Sequence, residues 1–307
     1  MKGKYLISCL IAMAVSLVAI TVPAAGLAPG HHHDDDSEAD YPLHEQETIR
    51  KSFTVGGAHK LLEVDNVFGS IEVVGGQSDK VELVITKTIR AESQERMETA
   101  KKEVTLDVTD QPDLLKLYVN GPFRCNCDCD EGCRGNCSGW HGDRGYQVKM
   151  DFQLQVPVNL DLKLKTVNSG HVSARNVIGN LSVHNVNGRI DLTDVGGGAA
   201  TVKTVNGGVK ASFQQNPKQN SEFSTINGAL ELQFPKDLSA DFRFKTMNGG
   251  VYTDFEMTML PAQPVHAENR NGRYVFRTDR MTGGRVGSGG IEIKANTLNG
   301  DIRVLER

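Results

Sequence analysis

The sequence predicts an all-β chain whose main part is a parallel β-solenoid of about 19–21-residue coils, with one short helix in its N-terminal part. Three observations predict it. From residue 52 onward, short runs alternate apolar and polar residues, the period of strands with one buried face. A four-residue motif returns as Thr204-Val205-Asn206-Gly207, Thr225-Ile226-Asn227-Gly228 and Thr246-Met247-Asn248-Gly249. Glycine numbers 32 residues against a single tryptophan, which suits a chain of many turns and close backbone contacts.

The elements follow in order. Lys2 and Lys4 precede an uncharged run from Tyr5 to Val22, and Pro23-Ala24-Ala25-Gly26-Leu27-Ala28 follows. A basic start, an apolar stretch and a small-residue exit predict a signal peptide over 1–28 and hence export; kept uncleaved, the run is long enough to anchor in a bilayer. Residues 29–51, with His31-His32-His33-Asp34-Asp35-Asp36, have little to bury and read as a disordered linker. Residues 52–121 form a β module. Its one helix is expected from Glu92 to Lys102, with Ser93 as cap and Glu95 and Glu98 near its start. Residues 146–307 hold the repeats.

The repeat sets the fold. Asn168, Asn187, Asn206, Asn227, Asn248, Asn271 and Asn299 recur at intervals that open from 19 residues (168 to 187) to 28 (271 to 299). Glycine follows as Gly188, Gly207, Gly228, Gly249 and Gly300, and Asn269-Arg270-Asn271-Gly272 is a degenerate copy. Asn-Gly between strands is also a hairpin signal, and an antiparallel hairpin array is the rival fold. A hairpin array has no reason to keep the same side chains at every turn; stacked coils do. In a solenoid the asparagines would form a ladder of amides. The glycines would supply φ > 0, and the Val, Ile, Leu or Met before each asparagine would stack inward.

Residues 122–145 interrupt the pattern. Setting aside Cys9, all the cysteines lie here: Cys125, Cys127, Cys129, Cys133 and Cys137, with His141 close behind. In an exported chain they read as disulfides stapling a loop, with one odd thiol left over, either free or paired between chains in a disulfide-linked dimer. The Cys-x-Cys-x-Cys spacing strains neighbouring disulfides and suits a soft ion, so zinc or copper held by these thiolates and His141 is the second reading, and redox chemistry the third. The flanking strands, Leu114–Val119 and Tyr146–Val156, are expected to pair with each other.

A net charge of -4 excludes a nucleic-acid binder driven by counterion release. Gly-x-Ser-x-Gly, a phosphate-cradling loop and His-Glu-x-x-His are all missing from the sequence. Asp191, Asp194, Asp254 and Glu256 come nearest to the carboxylate pairs of glycan-cleaving β-helices, scattered along strands. No enzyme activity and no required cofactor are expected.

From about residue 53 to 307 the chain resembles the bacterial exported family labelled putative adhesin, a domain of unknown function. The resemblance rests on the Thr-Val-Asn-Gly corners, on Leu62-Glu63-Val64-Asp65-Asn66-Val67-Phe68-Gly69-Ser70-Ile71-Glu72-Val73 as a first coil, on Val156-Pro157 and Phe234-Pro235, and on Asn299-Gly300-Asp301-Ile302-Arg303-Val304 as a last turn. It implies a β-solenoid at the envelope or cell surface and carries no catalytic residues. The expected function is a non-enzymatic interaction module for an envelope or surface glycan or protein. A metal-binding or redox-sensing protein working through the cysteine loop is the alternative, and a glycan-acting enzyme the third reading.

Overall fold

The computed structural model describes residues 41–55, 61–124, 144–261, 266–270, 273–277 and 281–307. The expected signal peptide, the His/Asp tract and Cys125 to His141 lie outside these residues.

In chain order the strands begin with β1 (Leu43–Thr54), β2 (Leu61–Asp65), β3 (Ile71–Gly76) and β4 (Lys80–Ala91). Helix α1 (Gln94–Glu103) leads to β5 (Thr105–Asp110), β6 (Leu114–Asn120) and β7 (Tyr146–Pro157). Paired short strands follow: β8 (Asp161–Lys165) with β9 (Val172–Arg175), β10 (Leu181–His184) with β11 (Ile190–Gly196), and β12 (Ala200–Lys203) with β13 (Val209–Gln215). Next come β14 (Ser221–Ser224) with β15 (Leu230–Phe234), and β16 (Ala240–Lys245) with β17 (Val251–Thr253). The chain ends with β18 (Thr258–Leu260), β19 (His266–Arg270), β20 (Arg273–Arg277), β21 (Thr282–Val286), β22 (Ile291–Asn296) and β23 (Ile302–Glu306).

The fold is the expected parallel solenoid. Each coil places one strand in a ten-stranded sheet and one in an eleven-stranded sheet. Consecutive coils pair in parallel and in register, as in Leu181↔Leu162 and Leu181↔Ala200, apart from register shifts in β11 between Leu192 and Gly196. Alternate residues point between the sheets: Val183, Val202 and Phe223 are fully buried on three successive strands, and their neighbours face outward. A one-residue slip would turn all of them out, which fixes the register. Toward one end the core fills with rings; Phe213 and Phe234 stack at 4.7 Å, and Phe242 and Phe244 at 5.4 Å.

The stack does not follow chain order throughout. In space the coils run β6–β7, β2–β3, β8–β9, β10–β11, β12–β13, β14–β15, β22–β23, β16–β17. The coil built from β22 and β23 is therefore inserted between two coils that precede it. At the other end β2–β3 sits inside the later β6–β7. Antiparallel strands close the ends: β4 and β1 on β7, β5 on β6, β21 and β18 on β16.

Helix α1 has the expected cap, with Ser93 Oγ accepting from the Arg96 amide, and it buries Met97 and Ala100. Its last carbonyl is met by a buried cation: Lys87 Nζ donates to Val104 O at 2.7 Å. A cation at a helix C-terminus is favourable. Burial nonetheless pushes the Lys87 ammonium pKa down, against the pull of Glu47.

Four expectations are corrected. The linker expected through residue 51 stops earlier, because Leu43–Thr54 pairs along its whole length with β4. The solenoid starts at β2–β3 instead of residue 146, so the expected N-terminal module and the repeats share one stack. β6 and β7 do not pair; they lie in different sheets as the two strands of one coil, and the cysteine-rich segment connects them. The degenerate copy at 269–272 is not a coil corner, since β19 and β20 pair antiparallel with Arg270 opposite Arg273. There the hairpin rival holds, as Asn-Gly between two short strands favours.

Candidate functional site

The repeated motif makes one long corner of the solenoid. Each asparagine donates its side-chain amide to the asparagine of the coil beneath: Asn187 to Asn168 at 2.6 Å, Asn206 to Asn187 at 2.8 Å, Asn227 to Asn206 at 2.8 Å. The chain then jumps. Asn299 donates to Asn227 at 2.7 Å, and Asn248 donates to Asn299 at 2.6 Å. The threonines bond to the glycine carbonyl of the previous corner, Thr204 Oγ1 to Gly188 O at 3.0 Å, Thr225 to Gly207 at 2.8 Å and Thr297 to Gly228 at 3.0 Å. In the coil that lacks threonine, Asn185 Nδ2 does the same to Gly170 O at 3.1 Å.

The glycines are there for space. A Cβ at Gly207 would lie 2.2 Å from Gly188 O, at Gly228 2.2 Å from Gly207 O, at Gly300 2.1 Å from Gly228 O and at Gly249 2.0 Å from Gly300 O. Gly207, Gly228 and Gly249 are not among the positive-φ glycines, so the expectation of φ > 0 at every corner is corrected; Gly69, at 119°, is the corner that is clearly left-handed. The residue before each asparagine is corrected too. At the later corners these side chains point outward, with Ile226 43% exposed, Leu298 38% and Met247 71%, while Val167, Val186 and Val205 are half-buried. They flank the alternation of the strands and so fall on its solvent side.

A family match runs over the corners from Asn168 to Gly300. The chain belongs to the Toastrack DUF4097 family. The match spans residues 151–305. Among solved structures, a putative cell adhesion protein from Clostridium sporogenes is 13% identical with a TM-score of 0.38, covering 86% of this chain and 100% of that one. A putative adhesin from Bacteroides fragilis is 13% identical with a TM-score of 0.38, covering 85% and 97%. A putative lipid binding protein from Parabacteroides distasonis is 11% identical with a TM-score of 0.29, covering 84% and 96%. No curated protein matches the chain.

The two outer faces of this Toastrack stack carry charge differently. On the ten-stranded sheet one row reads Asp191, Lys210, Glu231, Arg303 on successive strands, and Lys210 pairs with Glu231 at 2.9 Å. Opposite charges alternate and neutralise each other. On the eleven-stranded sheet the last row before the corner reads Asp65, Lys165, His184, Lys203, Ser224, Asn296, Lys245. The row beside it reads Lys116, Glu63, Lys163, Ser182, Thr201, Glu222, Lys294, Arg243. Lys165, His184 and Lys203 stand on three adjacent strands with no acid between them.

Acids fringe this cluster. Glu63 is met by Lys163 at 3.1 Å, Lys165 at 3.9 Å and Lys116 at 4.0 Å. Lys203 reaches Glu222 at 3.0 Å. His184 feels the surplus: burial and then Lys165, Lys203 and Lys163 hold its pKa below the ordinary imidazole value, with Glu222 opposing. At the head of the face Arg124 donates to Asp65 Oδ1 at 2.7 Å and lies over the Tyr118 ring at 4.3 Å. Arg124 is the last described residue before the cysteine segment.

The other expected carboxylates fall in two places, Asp191 and Asp194 on β11, and Asp254 and Glu256 just after β17. Asp191 pairs with Arg189 at 2.7 Å and Asp194 with Arg307. Asp254 follows β17, four strands from β11, or about 19 Å along the stack. Glycoside-cleaving carboxylates stand about 5–9.5 Å apart. Cys125, Cys127, Cys129, Cys133, Cys137 and His141 lie outside the described residues, and no cluster of metal-ligating side chains occurs among the described ones. The basic rows went unread in the sequence, although a signal existed: Lys165, His184 and Lys203 are each 19 residues apart, one repeat, just ahead of the corner motif.

Proposed function

We propose that this chain is an exported, non-catalytic binding module whose flat outer sheets engage a glycan or protein of the bacterial envelope or cell surface. The observation that carries the reading is the segregation of charge. One face alternates opposite charges strand by strand, while the other sets Lys165, His184 and Lys203 side by side beside the hydrogen-bonded corner, with Glu63, Asp65 and Glu222 pairing its lysines from the flanks. Two lysines set around a histidine whose protonation they oppose leave a local surplus of positive charge, and such local costs are tolerated where a partner offsets them. The pairing of Asp191 with Arg189 and of Asp194 with Arg307 supports binding over cleavage. A glycan array read both for retained protein and for new reducing ends is the test. Retention without new ends is expected; release of reducing ends would replace this reading with an enzyme.

A second reading concerns the cysteine-rich segment. Its stem is anchored, by Arg124 on Asp65 at one side and by Tyr146 and Arg144 on Glu103 at the other. Fixed residues on both sides of the cysteine-rich segment suit a held set of thiolates, as disulfides or as a zinc or copper site including His141. Counting free thiols and metal content in oxidatively purified protein separates the two, and an interchain disulfide would show as a dimer that reductant dissolves.

A further inference from the structure

We propose that the two basic rows of the eleven-stranded sheet bind a linear carboxylated glycan, which lies across the strands along the solenoid axis with its acid groups on Lys163, Lys165, His184 and Lys203. The inference rests on the binding-module reading above and names its ligand class.

The geometry sets the direction of the ligand. Lys165, His184 and Lys203 are in register on adjacent parallel strands, so their bases repeat at about 4.8 Å along the stack. A polymer with acid groups in series can follow that line; a compact anion would use one or two of these groups. The surface is flat here, since each coil contributes the same strand length in the same register.

The chemistry between the cations selects the polymer. Ser182, Thr201 and Ser224 stand among the cations, and Glu63 and Glu222 interrupt them. Hydroxyls and carboxylates are useful against a ligand that has hydroxyl groups of its own to share, as a sugar chain does. A polyphosphate has no such donors and would meet Glu63 and Glu222 as repulsion. The exposed apolar residues beside these rows, Ile226, Leu298 and Met247, stand on the coils past Lys203, so a membrane surface would engage that end and not Lys163, Lys165, His184 and Lys203.

His184 adds a signature. Bound carboxylates favour its protonated form, so binding takes up a proton and tightens as the pH falls below neutrality. The groups that face it are Lys163 and Lys165 on β8, Lys203 on β12 and Glu222 on β14; the lysines keep their charge across that range.

The experiment titrates the full chain with polygalacturonate at pH 7.5 and 5.5, with a neutral galactan and inorganic polyphosphate as comparison probes. Wild type should bind polygalacturonate, ignore galactan, prefer polygalacturonate to polyphosphate and tighten at least threefold at the lower pH. The variant K163Q/K165Q/K203Q should lose at least tenfold. R175Q/K210Q/R303Q removes as many charges from the other sheet and should change binding less than twofold. H184Q, which keeps every lysine, should fold as wild type and lose the pH effect, so the test survives a triple variant that misfolds. Equal losses in the two triples, a preference for polyphosphate, or an unchanged pH response in H184Q would overturn the proposal. Binding to neutral glycans alone would sink it and leave the binding-module reading standing. New reducing ends in the polygalacturonate would sink that reading instead.

Discussion

The middle of the solenoid and its far end use the same corner in different orders. From β8 to β15 each coil rests on the coil before it in the chain, and Asn168, Asn187, Asn206 and Asn227 bond in sequence. Beyond residue 235 the order breaks. β16 and β17 are held one place away from β14 and β15, and β22 and β23 fill the gap with the same asparagine, threonine and glycine contacts. The motif therefore specifies how a corner is built and says nothing of which coil it joins. What decides is the core. Phe223 of β14 lies opposite Ala295 of β22, which in turn lies opposite Phe244 of β16, so a small residue separates two rings.

The largest expected effect follows from that insertion. Among the described residues β17 pairs only with β23, and β16 pairs with β22 and β21. Breaking the inserted coil should therefore release two coils, and breaking the outer coil only one. Gly300→Val would drive a Cβ to 2.1 Å from Gly228 O and Gly249→Val to 2.0 Å from Gly300 O, so the clashes are alike, while Gly300, at φ 154°, adds a backbone strain that Gly249 lacks. The Gly300 variant should lose more than about 3 kcal/mol and the Gly249 variant about 1–2 kcal/mol. Hydrogen exchange checks the mechanism. Protection should vanish from both β16 and β22 in the first variant and persist in β22 in the second; equal exchange would mean the insertion holds nothing.

A middle corner tests why glycine is required. Gly207→Ala should cost about 1–3 kcal/mol through contact with Gly188 O, 2.2 Å from the added carbon. Gly207→Asn sharpens the point, since asparagine tolerates left-handed backbone. If space is the cause, asparagine is no better than alanine in denaturant unfolding. Asparagine restoring most of the loss would return the corner to a left-handed turn.

The amide ladder should matter less. Asn206→Ala removes the bond to Asn187 Oδ1 and the acceptor of Asn227, both at 2.8 Å and both exposed to water. Net hydrogen bonds are worth about 0.5–1.5 kcal/mol each, and exposure puts the pair near the low end, about 1 kcal/mol in total. Asn299→Ala, between coils that are not neighbours in the chain, should cost the same if register alone sets the bonds. A thermal melt unchanged in either variant would demote the ladder to ornament.

Much of this was legible and some of it could not be. Strand alternation, the Ser93 cap and the in-register corners follow from patterns that a local stretch of chain contains. The order of the coils does not, because Asn299 and Asn248 present the same groups to whatever lies beside them. The basic rows hid for another reason. Lys165, His184 and Lys203 are dilute in a chain of net charge -4, and they meet only when coils are stacked at one repeat. The outward turn of Ile226, Leu298 and Met247 was missed because apolar character was taken for burial, while single exposed apolar residues are ordinary on protein surfaces.

That last correction gives the smallest expected effect. Ile226 and Leu230 sit either side of the Asn227 corner, similar in size and opposite in environment: Ile226 is 43% exposed and Leu230 fully buried. Ile226→Gln leaves the backbone corner intact and should change stability by no more than about 0.5 kcal/mol. Leu230→Ala removes a core side chain between Val209 and Ile302 and should cost about 2–5 kcal/mol. The contrast is the measurement, made on both variants in one denaturant series. A large loss at Ile226 would mean that the corner's apolar residues are covered in the folded protein, by a contact the described residues do not contain, and the outward ridge would then be an interface.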